Sequence, residues 1–189
     1  MLLDTYLPTY DFTEIHGTRV YASPERVYAA VVEVSANEIP LMDVLFGIRA
    51  IPARLMGKAA RGERQGLSWD RPLLEQIQRA GFVLLQADAP REVVLGTVGK
   101  FWQASGGNYE IRNASEFLGA EPAGYAKSAF NFLVYEREGV TKVRTETRVR
   151  ITDPTARRKF GAYWTLVHPG SALLRKGWLW AVKKRAERE

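Results

Sequence analysis

The sequence predicts an α+β fold in which antiparallel strands pack against a long C-terminal helix. From Val143 to Ile151, apolar and hydroxylic residues alternate strictly with charged ones, the period-two pattern of a strand with one face in the interior. After Asp153-Pro154, Ala156, Phe160, Tyr163, Trp164 and Val167 recur at three- and four-residue steps, which is one face of a helix. The order of elements is a strand, short helices, several strands in succession and a closing helix. That order belongs to α+β proteins rather than to alternating βαβ units.

The elements follow in order. Residues 1–11 read as an irregular lead-in. A first strand spans Phe12 to Tyr21, with Phe12, Glu14, His16, Thr18 and Val20 on one side. Ser23-Pro24-Glu25-Arg26 opens a helix, with serine at the cap, proline at the first position and glutamate in the first turn. Val27, Ala30, Val31 and Val34 make its apolar stripe. Residues 36–56 continue as short apolar pieces broken by Pro40, Gly47 and Pro52, and Ile39–Met56 is the candidate for a movable cover over an interior. Gly57 to Gly66 is a basic, glycine-punctuated loop without the spacing of a phosphate-binding loop. Pro72 to Ala80 suits a short helix ended by Gly81.

Two strands follow, Phe82–Ala87 and Glu92–Trp102, joined by the turn Asp88-Ala89-Pro90-Arg91. Gly96-Thr97-Val98-Gly99-Lys100 is no Walker motif, because the glycines are too close and Phe101 stands where Ser or Thr is required. Asn113 to Leu118 suits one helical turn. Tyr125 to Glu136 is a long strand that turns at Arg137-Glu138-Gly139 into the last one. There Val143, Thr145, Thr147, Val149 and Ile151 point inward, and Arg144, Glu146, Arg148 and Arg150 form a charged outer face. Pro169 kinks or breaks the closing helix, and Ser171 suits the cap of a restarted piece.

The length of 189 residues gives a single domain, 1–189, with enough chain for a real core. Without cysteine, disulfides and thiolate metal sites are excluded. Met1-Leu2-Leu3 runs into Asp4 without a basic start or an apolar core of signal length, so a cytoplasmic location is expected. Residues 39–56 make a poor membrane span, since Asp43, Arg49, Pro52 and Arg54 interrupt them. Charge is uneven: residues 141–189 hold 13 Lys/Arg against 4 Asp/Glu, and the net charge of the whole chain is +6. The basic end, Lys183-Lys184-Arg185 and Arg188, suits an anionic membrane surface; the alternative is a solvated face favoured by the helix dipole. Nucleic acid is not expected as a partner, because the basic residues do not lie among the aromatics.

No constellation in the chain compels a reaction. His16 and His168 are the two histidines, and no metal or cofactor is expected. Asp153, His168 and Ser171 are the residue types of a hydrolytic triad, but no nucleophile elbow surrounds Ser171. The aromatics say more. Trp102, Phe130, Phe132, Tyr163 and Trp164 fall on elements that face one another. A buried hydroxyl needs a partner, so Thr145 and Thr147 suit a cavity wall, or else they bond to neighbours in an ordinary core. These seven residues form the candidate ligand site, apolar with sparse polar anchors. If the aromatics interdigitate fully, the interior is filled and the domain is an interaction module.

With Thr145-Glu146-Thr147-Arg148-Val149 leading to Asp153, Phe160, Tyr163-Trp164 and Pro169-Gly170-Ser171, residues 12–187 resemble the START-like (SRPBCC) superfamily, in an uncharacterised bacterial branch. The resemblance implies a curved antiparallel sheet gripping the C-terminal helix around a cavity for an apolar ligand. It implies a carrier or sensor of a hydrophobic small molecule, a lipid or an aromatic, polyketide-like compound, held without catalysis. The alternative it implies is an enzyme of the polyketide cyclase or aromatase kind using the same cavity.

Overall fold

The computed structural model describes residues 1–39, 68–103 and 107–188. Its strands are β1 (Phe12–Val20), β2 (Val83–Asp88), β3 (Glu92–Gly99), β4 (Asn108–Tyr109), β5 (Ala126–Arg137) and β6 (Val140–Ile151). Its helices are α1 (Leu2–Tyr6), α2 (Pro24–Glu33), α3 (Leu73–Arg79), α4 (Ala114–Gly119) and α5 (Pro154–Ala186), with one 3-10 turn at Ala36–Glu38. All strand pairs are antiparallel. They form one curved, open sheet in the order β1-β6-β5-β3-β2, with β4 added to β3. The expected α+β class is the one observed. The cover expected at Ile39–Met56 and the loop at 57–66 lie, apart from Ile39, outside the described residues.

Register carries the side-chain pattern across the sheet. β5 pairs with β6 without a shift, and β6 with β1. One row therefore holds Glu14, Thr147, Phe130 and Leu95, and the next holds His16, Thr145, Phe132 and Val93. Both rows face α5. The bulge in the sheet falls in β2, between Leu84 and Gln86, where it leaves these rows undisturbed.

Helix α5 starts where Asp153 accepts hydrogen bonds from the amides of Thr155 and Ala156, with Pro154 at its first position. It then runs as a single helix of 33 residues through Pro169, so of the two expectations there, a kink or a break, the break does not occur. Pro169 removes the amide that would bond to the carbonyl of Thr165. Both residues lie on the exposed side of α5, where water meets that carbonyl. Phe160 is buried, Tyr163, Trp164 and Val167 are half-buried, and Arg157, Arg158 and Lys159 are exposed, so the predicted face is the one turned to the sheet.

The opposite face of the sheet departs from expectation. It is not a charged surface: Glu146 and Arg148 are buried, as are Glu92 and Asn131. The cover is the N-terminal stretch read as irregular, which contains α1 and buries Leu3 and Leu7. Glu92 accepts bonds from the amides of Leu2 and Leu3 and from Asn131 Nδ2, at 2.8, 3.2 and 2.7 Å. Arg148 donates to Glu146 and to the carbonyl of Leu7, and pairs with Asp4. Burial works against the charge on Arg148, but Glu146 and Asp4 outweigh it and raise the guanidinium pKa. Alternation cannot reveal such a cover, because a charged strand face reads the same whether water or α1 satisfies it. Further along this face Gly96 lets Phe117 of α4 approach: a Cβ there would sit 2.7 Å from the Phe117 ring.

Stability should respond on both faces. Phe160→Ala should lose about 3–5 kcal/mol in urea unfolding, the cost of emptying a core aromatic site, while Arg158→Ala should stay within about 0.5 kcal/mol. Glu92→Ala should lose at least about 1.5–3 kcal/mol, because it strips a charged acceptor from buried amides. It should also speed hydrogen exchange at Leu2 and Leu3.

Candidate functional site

The interior between sheet and α5 is divided by chemistry. Toward β3 and β5 it is apolar: Val93, Leu95, Phe130 and Phe132 are buried, and Trp178 of α5 packs 4.7 Å from the Phe132 ring. Toward β1 and β6 it is polar, with Glu14, His16, Thr145 and Thr147 from the strands and Ser171 and Arg175 from the helix. Spacing sets this on α5, since 171, 175, 178 and 182 follow steps of four, three and four and lie on one face.

The polar half is connected. Glu14 is buried, and its two carboxylate oxygens meet Ser171 Oγ at 2.8 Å and His16 Nε2 at 2.7 Å. Arg175 is half-buried as a whole, with its guanidinium turned inward. It donates to Thr147 Oγ1 at 3.1 Å and lies 4.2 Å above the Phe130 ring. Burial pushes the Arg175 guanidinium down to about 10, against the opposing pull of Glu14. Three buried atoms here have no hydrogen-bond partner among the described residues: Arg175 Nη1, Trp178 Nε1 and Thr145 Oγ1.

The seven predicted site residues fall into two groups. Phe130, Phe132, Thr145 and Thr147 lie on the two rows just described. Trp102, Tyr163 and Trp164 surround Phe160 instead, with ring centroids 6.3, 5.8 and 5.7 Å from it, in a cluster that includes Phe12. Between these clusters α5 is only loosely seated. It is buried at Ala156 and Phe160 and again from Trp178 onward, while no residue from Gly161 to Gly177 is buried. An open groove of about 450 Å³ lies beside Trp180 and Lys184, and another of about 290 Å³ runs along Ile15–Arg19 and includes His16 in its lining.

Glu14, Arg175 and Trp178 are not among the seven candidates, although Glu14 and Arg175 each carry a signal in the sequence. Glu14 sits on the inward phase of β1, and Arg175 interrupts an apolar helical stripe. Glu14 and His16 both lie on the rows that face α5, opposite the hydroxylic positions Thr147 and Thr145 of β6. The triad types do not meet: Asp153 caps α5, the His168 ring lies tilted with its centroid 5.2 Å from that of Trp164, and Ser171 bonds to Glu14. The basic C-terminal residues have neighbours of their own. Arg185 pairs with Glu33 and Glu38, Lys183 with Glu187, and Lys184 lies over Trp180.

An antiparallel sheet with a long C-terminal helix laid against one face is a helix-grip arrangement. No family model matches the chain, and no curated protein matches it in sequence. Among solved structures it is similar to TTHA0849 from Thermus thermophilus, with a TM-score of 0.34 and 11% identity over 93% of this chain and 97% of that one. It is similar also to CalU16 from Micromonospora echinospora, with a TM-score of 0.31 and 13% identity over 93% and 83%. Likeness this low carries nothing about activity. Among the described residues no helix is long and apolar enough to cross a membrane.

Arg175 tests whether this chemistry is structural. A buried charge with no carboxylate in hydrogen-bond contact is costly to keep, and exchanging it for an apolar side chain of similar volume removes that cost. Arg175→Met should therefore leave unfolding stability within about 1 kcal/mol or raise it. A loss above about 2 kcal/mol in urea unfolding would make the guanidinium a support of the fold.

Proposed function

We propose that this protein binds a hydrophobic small molecule, a lipid or an aromatic compound, in the interior between the sheet and α5. One observation carries the reading: α5 is buried at both ends and only half-buried on its inward side from Gly161 to Gly177, over a sheet face that pairs an apolar half with polar atoms unpartnered among the described residues. A mostly apolar lining with a few convergent polar groups is what small-molecule sites use. Phe130, Phe132, Thr145 and Thr147 form the proposed centre, and Trp102, Tyr163 and Trp164 an aromatic wall toward Phe160.

A second reading is an enzyme of the cyclase or aromatase kind in the same interior. It is favoured by Glu14, a buried carboxylate in contact with both His16 and Ser171, a set able to take and return a proton. Native mass spectrometry of protein purified from cells separates the two, since a carrier releases a compound of unchanged mass and an enzyme converts it on incubation.

Nile red, a neutral environment-sensitive dye, should bind the folded protein at about one site with blue-shifted emission. Thr147→Leu should weaken it without unfolding the domain, and Tyr163→Trp should do so if the ligand reaches the Phe160 cluster. Absence of any saturable site would leave the interaction module as the better account.

A further inference from the structure

We propose that the ligand of this interior is an apolar acid, whose carboxylate is held by Arg175, Trp178 and Thr145 while its apolar body lies along Phe130 and Phe132. The inference rests on the reading above that the interior binds a small hydrophobic molecule, and it names the class of that molecule.

The unmet groups set the chemistry. Guanidinium and indole nitrogens only donate, and a threonine hydroxyl donates or accepts. Arg175 Nη1, Trp178 Nε1 and Thr145 Oγ1 are all buried without a partner among the described residues, and one group with several lone pairs satisfies all three. They are also neighbours in the fold. Thr145 stands opposite Phe132 in the sheet, Thr147 opposite Phe130, and Arg175 and Trp178 are one helical turn apart over those rings.

Charge then selects an anion over a neutral acceptor. The carboxylate that pulls on Arg175 is Glu14, and its oxygens already serve Ser171 and His16. Thr147 gives the guanidinium a hydrogen bond but no opposite charge. A trapped water could occupy the donors, yet it would add no charge to the partial offset that Glu14 gives the desolvated guanidinium. A carboxylate does both, through hydrogen bonds strengthened by charge on each side. Beyond it the apolar half continues through Leu95 and Val93, which suits a hydrocarbon or ring system and not a second charge.

The test uses the full chain and two matched pairs of probes, decanoate with decanol and 2-naphthoate with 2-naphthalenemethanol, titrated by calorimetry at neutral pH. At least one acid should bind about ten- to a hundredfold more tightly than its alcohol, the worth of hydrogen bonds to a charged group. Which pair shows the larger difference separates a chain from a ring as the body. Arg175→Met should erase the difference by weakening the acid alone, and Trp178→Phe should weaken the acid several-fold with the alcohol unchanged. Lys176→Met, at an exposed position on the same helix, should change neither. If acid and alcohol bind alike, or if Lys176→Met matters as much as Arg175→Met, the acid assignment fails while the binding reading stands. If neither member of either pair binds, both fail. Should Arg175→Met not fold, the acid-to-alcohol ratio of the unaltered chain and Trp178→Phe still decide the matter.

Discussion

Strand β6 is paired along nearly its whole length on both sides, with β1 and with β5, and every other layer depends on that register. It sets Glu14, Thr147 and Phe130 side by side on one face and Asn131 and Glu146 on the other. Because side chains alternate along a strand, a slip of one residue would exchange the two sets. Glu146 and Arg148 would then face α5, and Thr145 and Thr147 would lie beneath α1. The slipped sheet would keep its backbone hydrogen bonds but leave charges facing apolar surfaces on both sides, and burial without partners is what such groups resist most.

Both faces of the sheet carry buried polar groups, and the two sets differ in how fully they are satisfied. Under α1, Glu92, Asn131, Glu146 and Arg148 form a nearly closed network, which ties the N-terminal stretch to the strands. Under α5, donors are left over. A closed network rigidifies, whereas unmet donors at high burial are a standing penalty that folding alone does not explain.

Helix α5 joins these roles. Its first turns are held by the Asp153 cap and the aromatic cluster at Phe160, and its last turns by Trp178, Ala181 and Val182 against the sheet and α2. Between these anchors Pro169 takes one hydrogen bond out of the helix on its exposed side. A segment with fewer buried contacts opens at lower free energy than its anchored ends. The middle of α5 is accordingly the least anchored part of the helix.

Much of this was legible in the chain itself. Alternation in β1 and β6, the turn at Arg137-Glu138-Gly139, the Ser23-Pro24 and Asp153-Pro154 starts and the stripe through Phe160 are local signals, and local chemistry alone determined them. Tertiary structure decided the rest. Whether a charged strand face meets water or a covering helix depends on residues more than a hundred positions away, as Arg148 and Leu7 illustrate. Whether Pro169 breaks a helix depends on which side of it faces solvent. Aromatics that looked like one pocket divide into the Phe160 and Trp178 clusters, because α5 is long enough to carry them to opposite ends of the sheet. Arg175 meets Thr147 only because β6 brings that residue to it from 28 positions away, since periodicity places a side chain on a face and only packing says what that face meets.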